Sequence, residues 1–382
     1  MGRRHGVAVG AALVAALTGC TSSIGGEAIP ADPQLDTGGY AVGPREVPER
    51  TGTDAIVQMN IVLSDYVVLP PDLDAKFDWY APRPYPSLAG AASRNNVLGG
   101  PIGDAVAPGQ KAGVIGAFRE ARADGAPTMA VFVMRYSSET EAANAYNGAR
   151  ALMPRGRELG PGVVEGPTPT SFAPGLAFWS RHADYVLAAV TRDVDRPRAE
   201  ALAAAWFERQ PARLDQVPFK AWQMPPADKD GIMRYTRLDE VGEPIMAFVS
   251  GYFSNRALGI VGDGRWSSGL RTRTTFQIEL IGASGRNQVM RAASPNFAAD
   301  WVANQAKTFG APGADDGGRV EERIRGLPQS VCVSRVAQLL QQTNRVFACQ
   351  VPRGRYIAVA FSSTLAQAQQ STAAGYLTLP QA

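Results

Sequence analysis

The residues best suited to bind a small ligand are three arginines and a tryptophan that lie close together in the chain: Arg265, Trp266, Arg271 and Arg273. Arginine offers forked hydrogen-bond donors that match phosphate or carboxylate groups, and tryptophan can stack on a sugar or lipid headgroup. A purely structural interpretation also fits this stretch. Asp263-Gly264 is typical of a hairpin turn, and alternating arginines suit the exposed face of a strand.

Residue types that carry out catalysis are scarce in this chain. Of two histidines, His5 lies near the start, and His182 falls in a predicted turn beside Asp184. A His182/Asp184 site is conceivable, but an exposed turn histidine is the simpler interpretation. The sequence has no Gly-x-Ser-x-Gly elbow, Walker loop or dinucleotide-binding glycine motif. We therefore assign no catalytic residue and no cofactor, and we do not expect an enzyme.

The clustered carboxylates Asp72, Asp74 and Asp78 are the closest approach to a metal site. A calcium loop needs further oxygen ligands in a fixed order and a closing glutamate, which this cluster lacks. We interpret these residues as solvated loop carboxylates and predict no metal site.

The start of the chain reads as an export signal. Arg3 and Arg4 precede an apolar run, Val7 to Leu17, that is too short to span a bilayer. The following Leu17-Thr18-Gly19-Cys20 resembles the bacterial lipobox. The resemblance implies that residues 1–19 are removed and that Cys20 carries a diacylglyceryl group. It predicts an extracytoplasmic, lipid-anchored protein; the alternative is an ordinary signal peptide with a chance cysteine.

The other two cysteines form an even pair in a chain expected to leave the reducing cytosol. We predict a disulfide between Cys332 and Cys349. Their spacing and the lack of partner ligands exclude a Cys-x-x-Cys redox motif and a zinc cluster.

Charge gives no case for nucleic-acid binding. The full chain carries a formal charge of +3. Without Arg3 and Arg4, the predicted mature chain keeps 36 basic residues against 35 acidic ones. A near-neutral body lacks the positive surface that binds a phosphate backbone.

The chain then shows a repeated order of strands and helices. Residues 129–134 predict a strand, Ser138 to Glu141 a capping box, and residues 141–153 a helix. A hairpin follows at 177–190, and then a helix at 197–209 that begins near Asp195. The second half repeats this order with strand 288–292, helix 296–308, hairpin 345–361 and a last helix opened by Ser363.

The repeat predicts an α+β fold of two tandem domains. Each domain is expected to be an antiparallel sheet with helices on one face, in β-α-β-β-α order, loosely ferredoxin-like. The predicted segments are a lipid-anchored tether at 20–35, domains at 36–217 and 231–382, and a proline-rich linker at 218–230. A helix at 53–66 and short strands at 67–69, 245–249, 258–261 and 275–281 are also expected.

Several short motifs together resemble a family of uncharacterised two-domain lipoproteins from mycolic-acid-containing actinobacteria. Those motifs are the lipobox, the C-terminal cysteine pair and the stretches at 35–40, 65–70, 354–359 and 373–377. Because the family has no known function, the resemblance implies location and domain count but no functional residues.

Three functions fit these features. The first is a non-enzymatic envelope lipoprotein that binds a protein, glycan or lipid partner or has a structural role. The second is a carrier of an apolar small molecule or lipid, which an apolar cavity would favour and a filled interface would not. The third is a hydrolase using carboxylates such as Asp263, Glu279 or Asp300. We rank them in that order.

Overall fold

The strands and helices of the two halves have the following bounds in a computed structural model. It describes residues 34–80, 98, 100–123, 125–152, 157–166, 168, 174–237, 250–261, 266–310, 317–339 and 342–381. The first half contains α1 (Gly52–Ser64), α2 (Pro70–Leu73), β1 (Trp79–Tyr80), α3 (Gly100–Val106), β2 (Gln110–Arg119), β3 (Thr128–Tyr136), α4 (Glu139–Ala151), β4 (Glu158–Gly160), β5 (Val163–Gly166), β6 (Gly175–His182), β7 (Tyr185–Arg192) and α5 (Arg196–Leu214). After a short 3₁₀ turn (Met233–Tyr235), the second half contains β8 (Gly251–Phe253), α6 (Asn255–Val261), α7 (Trp266–Thr275), β9 (Ile278–Ser284), β10 (Asn287–Ala292), α8 (Pro295–Gly310), β11 (Arg319–Glu321), β12 (Val331–Leu339), β13 (Gln342–Arg353), β14 (Tyr356–Ser362) and α9 (Leu365–Thr378).

The two halves share one sheet topology. The described strands form two seven-stranded antiparallel sheets, in the orders β1-β2-β3-β7-β6-β5-β4 and β8-β9-β10-β14-β13-β12-β11. Strand β14 occupies the place in the second sheet that β7 occupies in the first, and α8 and α9 follow the same strands as α4 and α5. The predicted α+β class and the internal repeat are therefore confirmed.

Helices cover both faces of each sheet, whereas the predicted fold has helices on one face only. In β3, Met129 and Val131 face the side covered by α5, while Ala130 and Phe132 face the side covered by α4. The second sheet has α8 on one face and α9 on the other. Successive strand residues point to opposite faces, so an unbroken apolar strand such as β3 indicates burial on both sides.

The predicted helix starts are largely confirmed by side-chain caps. Ser138 Oγ accepts a hydrogen bond from Glu141 N at 3.2 Å, and Asp195 Oδ1 accepts one from Arg198 N at 3.0 Å. The last helix is capped by Thr364, one residue after the expected Ser363. Such caps satisfy backbone N–H groups that have no partner within the helix.

Three of the predicted short strands have different outcomes. Residues 258–261 lie in α6, because a short apolar run does not by itself distinguish a strand from a helix. Residues 67–69 are extended but join neither sheet; instead, Gln210 Oε1 accepts from Val68 N at 2.7 Å and Trp206 Nε1 donates to Val68 O at 2.8 Å. Residues 245–249 lie outside the described residues.

The predicted disulfide is present. Cys332 in β12 lies directly opposite Cys349 in β13, and their Cα atoms are 4.0 Å apart. Both cysteines are fully buried on the α9 side of the second sheet.

Helix α1 joins the two halves. Its Met59 and Leu63 pack into the core of the first sheet, and its Val57 and Ile61 pack into the core of the second. The segment before α1 also contacts the second half: Arg45 N donates to Arg234 O at 2.8 Å. The start of the predicted N-terminal domain at 36–217 therefore also contacts the second half, through Arg45, Val57 and Ile61. Residues 35–382 form one compact unit.

Candidate functional site

A cleft of about 590 Å³ opens where the end of α1 meets β8, β9 and the loop 218–230. Most of its wall is apolar, formed by Ile61, Val62, Pro218, Phe219, Met224, Pro225, Pro226 and Leu280. Pockets for small molecules commonly have this size and character, with a few polar groups that fix orientation. The cleft is therefore the candidate functional site.

Two buried amide side chains place α1 at the cleft. Gln58 exchanges two hydrogen bonds with the backbone of Tyr252 in the edge strand β8, each of 3.2 Å. Asn60 Oδ1 accepts from Gly113 N in β2 at 2.7 Å. A Cβ on Gly251 would lie 2.7 Å from Gln58 Oε1 and Ile61 Cδ1, so only glycine permits this approach. One helix is thus fixed to both sheets.

The loop 218–230 forms the opposite wall and is attached at each end. At its start, the buried Phe219 ring lies 5.1 Å from the guanidinium of Arg135, which also bonds Asp184 Oδ2 at 2.9 Å. At its end, Asp228 accepts from Met233 N at 2.7 Å. Between these attachments, the side chains of Trp222 and Met224 are 67% and 51% exposed. The wall is therefore anchored to both halves and presents apolar groups to solvent.

The main acidic group of the cleft is Asp65, just after α1. Ser254 Oγ donates to its carboxylate and accepts from the N–H groups of Arg256 and Ala257 at 3.1 and 3.0 Å, which caps α6. Burial raises the pKa of the Asp65 carboxyl, while the Ser254 hydrogen bond and the positive charges of Arg256 and Lys229 oppose that shift. Asp65 is thus a desolvated acceptor in the wall of the cleft.

Two further polar groups of the wall are hydrogen-bond donors, Tyr252 and Lys229, and Tyr66 and Gln223 also line the cleft. Tyr252 is only 6% exposed, and burial raises its pKa to about 12 although the positive charge of Arg50 opposes the shift. Within the described residues, neither the Tyr252 hydroxyl nor the Lys229 ammonium has a hydrogen-bond partner. Both groups are therefore available to a ligand.

Of the four predicted binding residues, the structure places the side chains of two, Arg271 and Arg273. Arg265 lies outside the described residues, as does the side chain of Trp266, the first residue of α7. Arg271 and Arg273 lie on α7 and not on a strand. Residues two apart on a helix point in nearly opposite directions, so these arginines separate.

The two arginines have different surroundings. Arg271 lines a second cleft of about 450 Å³ together with Asp78 and Leu270. Arg273 Nε donates to Asn255 Oδ1 at 2.9 Å, and burial lowers its pKa to about 10. Of these two arginines, Arg271 is the exposed one.

Among the described residues, the side chains considered for catalysis do not lie together in a cleft. His182 Nε2 bonds Asp215 Oδ1 at 2.7 Å, while Asp184 pairs with Arg135. Glu279 pairs with Arg355 at 2.5 Å, and neither Glu279 nor Asp300 lines either of the two clefts.

The acidic cluster likewise differs from the solvated carboxylates that we expected. Asp72 pairs with Arg256, and Asp74 pairs with Arg198 at 2.6 Å. Asp78 is only 9% exposed. In the part of the chain that the structure describes, no group of three His, Cys, Asp or Glu side chains is placed to hold a metal ion.

The residues that line the cleft were missed by the sequence analysis. Asp65 and Tyr66 belong to the family motif at 65–70, and Lys229 belongs to the predicted linker at 218–230; neither assignment indicates a binding site. A single acid after an apolar helix carries no signal of a site until the fold places it against β8 and the loop.

Among known proteins, a match to a family is found for part of the second half. Residues 253–382 match the family described as domain of unknown function (DUF7373) C-terminal. This confirms the expected resemblance to an uncharacterised family for that part of the chain. No curated protein and no solved structure matches this chain.

Proposed function

We propose that this protein is a non-enzymatic lipoprotein of the cell envelope whose folded part binds a small, largely apolar ligand. The observation that carries this proposal is the cleft of about 590 Å³, whose mostly apolar wall also includes polar side chains such as Asp65, Tyr252 and Lys229. A cavity of this kind favours small-molecule binding over a purely structural role. The proposal combines two of the functions considered above, the non-enzymatic binding lipoprotein and the carrier of an apolar molecule, because both require such a cleft.

The location is supported by the N-terminal sequence. The lipobox-like Leu17-Thr18-Gly19-Cys20 lies outside the described residues and supports a lipid anchor on Cys20. The series of motifs that resembles lipoproteins of mycolic-acid-containing actinobacteria supports the same location. Among the described residues, no helix has the length and apolar character to cross a membrane. Acylated Cys20 would make the membrane a partner through its lipid.

A hydrolase receives less support. Glu279 and Asp300 lie away from both clefts, and Asp263 lies outside the described residues. The cleft holds Asp65 and Ser254, but Ser254 Oγ is used to cap α6. Binding without chemical conversion therefore remains the function we propose.

Native mass spectrometry of the membrane-extracted protein tests the proposed function. We expect a mass above that of the acylated, disulfide-bonded chain, with the excess lost on denaturation. Met224→Trp adds bulk to the cleft wall and should lower the ligand-bound fraction. Val42→Trp is a matched control, because Val42 is similarly exposed but does not line the cleft. A wild-type mass without ligand, together with no binding of added amphiphiles, would contradict the proposed function.

A further inference from the structure

The polar groups of the cleft have opposite charges and complementary hydrogen-bonding roles. The Asp65 carboxylate accepts hydrogen bonds, the Lys229 ammonium donates them, and the Tyr252 hydroxyl does either. All three line the same cleft between α1, β8 and the loop 218–230.

Each kind of charged head group would meet a like charge in the cleft. An anionic ligand would bring a second negative charge beside the desolvated Asp65, and like charges in a buried site repel strongly. A cationic ligand would meet Lys229, and also Arg256, whose positive charge reaches Asp65. A neutral head group avoids the like charge that each kind of charged head group would meet.

A hydroxyl group matches the hydrogen-bonding roles of these three side chains. It can donate to the Asp65 carboxylate while it accepts from the Tyr252 hydroxyl or the Lys229 ammonium. Ser254 already donates to Asp65 from the protein side, so a ligand hydroxyl would add the donor from the cleft side. An apolar body would lie against Ile61, Val62 and Leu280.

Resting on the proposed function, we infer that the ligand is an uncharged amphiphile whose hydroxylated head group lies between Asp65, Tyr252 and Lys229. The apolar part of the ligand occupies the wall formed by α1 and the loop 218–230. This assigns a ligand class to a cleft in which the sequence predicted no site.

Binding of three amphiphiles with one alkyl tail tests this assignment: monolaurin, which has a neutral glycerol head, laurate and dodecylamine. We expect isothermal titration of the full mature chain to give the lowest Kd for monolaurin. Asp65→Asn should raise that Kd about tenfold, because the charge-assisted hydrogen bond from the glycerol head to the Asp65 carboxylate is lost. The variant should also discriminate less between monolaurin and laurate, because the repulsion between Asp65 and the laurate carboxylate is lost as well.

Matched variants separate the head-group contacts from general effects on the fold. Lys229→Met should weaken the binding of monolaurin and strengthen the binding of dodecylamine. Lys220→Met, on the same loop but outside the cleft, should change neither affinity. Asp54→Asn, at the exposed start of α1, is the control for Asp65→Asn.

The outcomes distinguish the ligand class from the proposed function. Tighter binding of laurate or dodecylamine to the wild-type protein would overturn the hydroxylated head group but keep the cleft as a binding site. Equal binding of all three would also overturn it, since the tail alone would then account for affinity. Binding of none, with an empty native mass, would overturn both.

Discussion

Gln58 in α1 and Tyr252 in β8 exchange two hydrogen bonds, each of 3.2 Å, although they lie 194 positions apart. The amide side chain bonds to the backbone N–H and C=O of the edge strand as a neighbouring strand would. Gln58 is completely buried, so no water replaces these bonds. One side chain of the first half thus continues the second sheet and holds α1 against β8, whose Tyr252 lines the candidate cleft.

Replacing Gln58 with leucine should destabilise the whole folded unit. Gln58→Leu leaves two buried backbone groups of Tyr252 without a partner, which we expect to cost about 3 kcal/mol. Chemical denaturation followed by circular dichroism measures this change. Gln216→Leu removes an exposed amide just after α5 that donates to Ala212 O at 3.1 Å, and should have little effect. Equal stability losses in the two variants would contradict the role of Gln58.

The stability of Asp65→Asn relative to the wild type should depend on pH. Burial raises the folded-state pKa of Asp65 above its usual value of 3.8, so the folded protein binds this proton more tightly than the unfolded chain. The contribution of Asp65 to stability therefore falls as pH rises from 3.8 through the folded-state pKa, and it stays low at higher pH.

The amide of the Asp65→Asn variant does not titrate, so the variant should gain stability relative to the wild type as pH increases across that range. Urea denaturation of both proteins at pH values on either side of it gives the difference, in which other carboxylates largely cancel. Asp54→Asn, with no buried charge to remove, is the control. A relative stability that falls with rising pH would show that the carboxylate is favoured by its surroundings.

Loss of the Cys332–Cys349 disulfide should lower the free energy of unfolding. The bond closes a loop with a sequence separation of 17, and constraining such a loop in the unfolded chain stabilises by about 3 kcal/mol. The double variant with alanine at both positions should therefore have a lower Tm, and a reductant should affect only the wild type. Because both cysteines are fully buried, the native protein should resist reduction until it unfolds. Rapid reduction without denaturant would be inconsistent with that burial.

Removing Arg135 should destabilise the attachment of the loop 218–230. Arg135→Met deprives the partly buried Asp184 of its partner and Phe219 of the cation above its ring. Breaking a largely buried pair typically costs about 3 kcal/mol, and Asp184→Asn in addition should recover part of that loss. A double-mutant cycle measures the coupling. Faster proteolysis of the loop in Arg135→Met, but not in Arg181→Met on an exposed position of β6, would locate the effect.

Some local structure was predictable because its causes are local. Ser138 and Asp195 cap helices with side chains that bond backbone groups three residues away. The hairpin of β13 and β14 follows from two apolar strands around Gly354, whose φ of 53° suits glycine in a tight turn. Helices α6 and α7 were missed because a short apolar run and two alternating arginines fit either a helix or a strand.

The position of the helices on the sheets depends on more than local pattern. Residues 129–134 are apolar without interruption, which predicts a strand but not what covers each of its faces. The structure places α4 on one face and α5 on the other, so that both sets of alternating side chains are buried. The apolar pattern of a strand therefore does not by itself determine whether helices cover one face of the sheet or both; that depends on which helices pack against its alternating side chains.

The sequence by itself determined the repeated β-α-β-β-α order, several helix caps and the pairing of Cys332 with Cys349. Only the tertiary structure decided that α1 joins both sheets and that Asp65, Tyr252 and Lys229 line one cleft. The physical reason is the range of the interactions. Caps and turns are set by residues within a few positions, whereas the cleft depends on contacts such as Gln58–Tyr252, which exist only after distant parts of the chain have packed together.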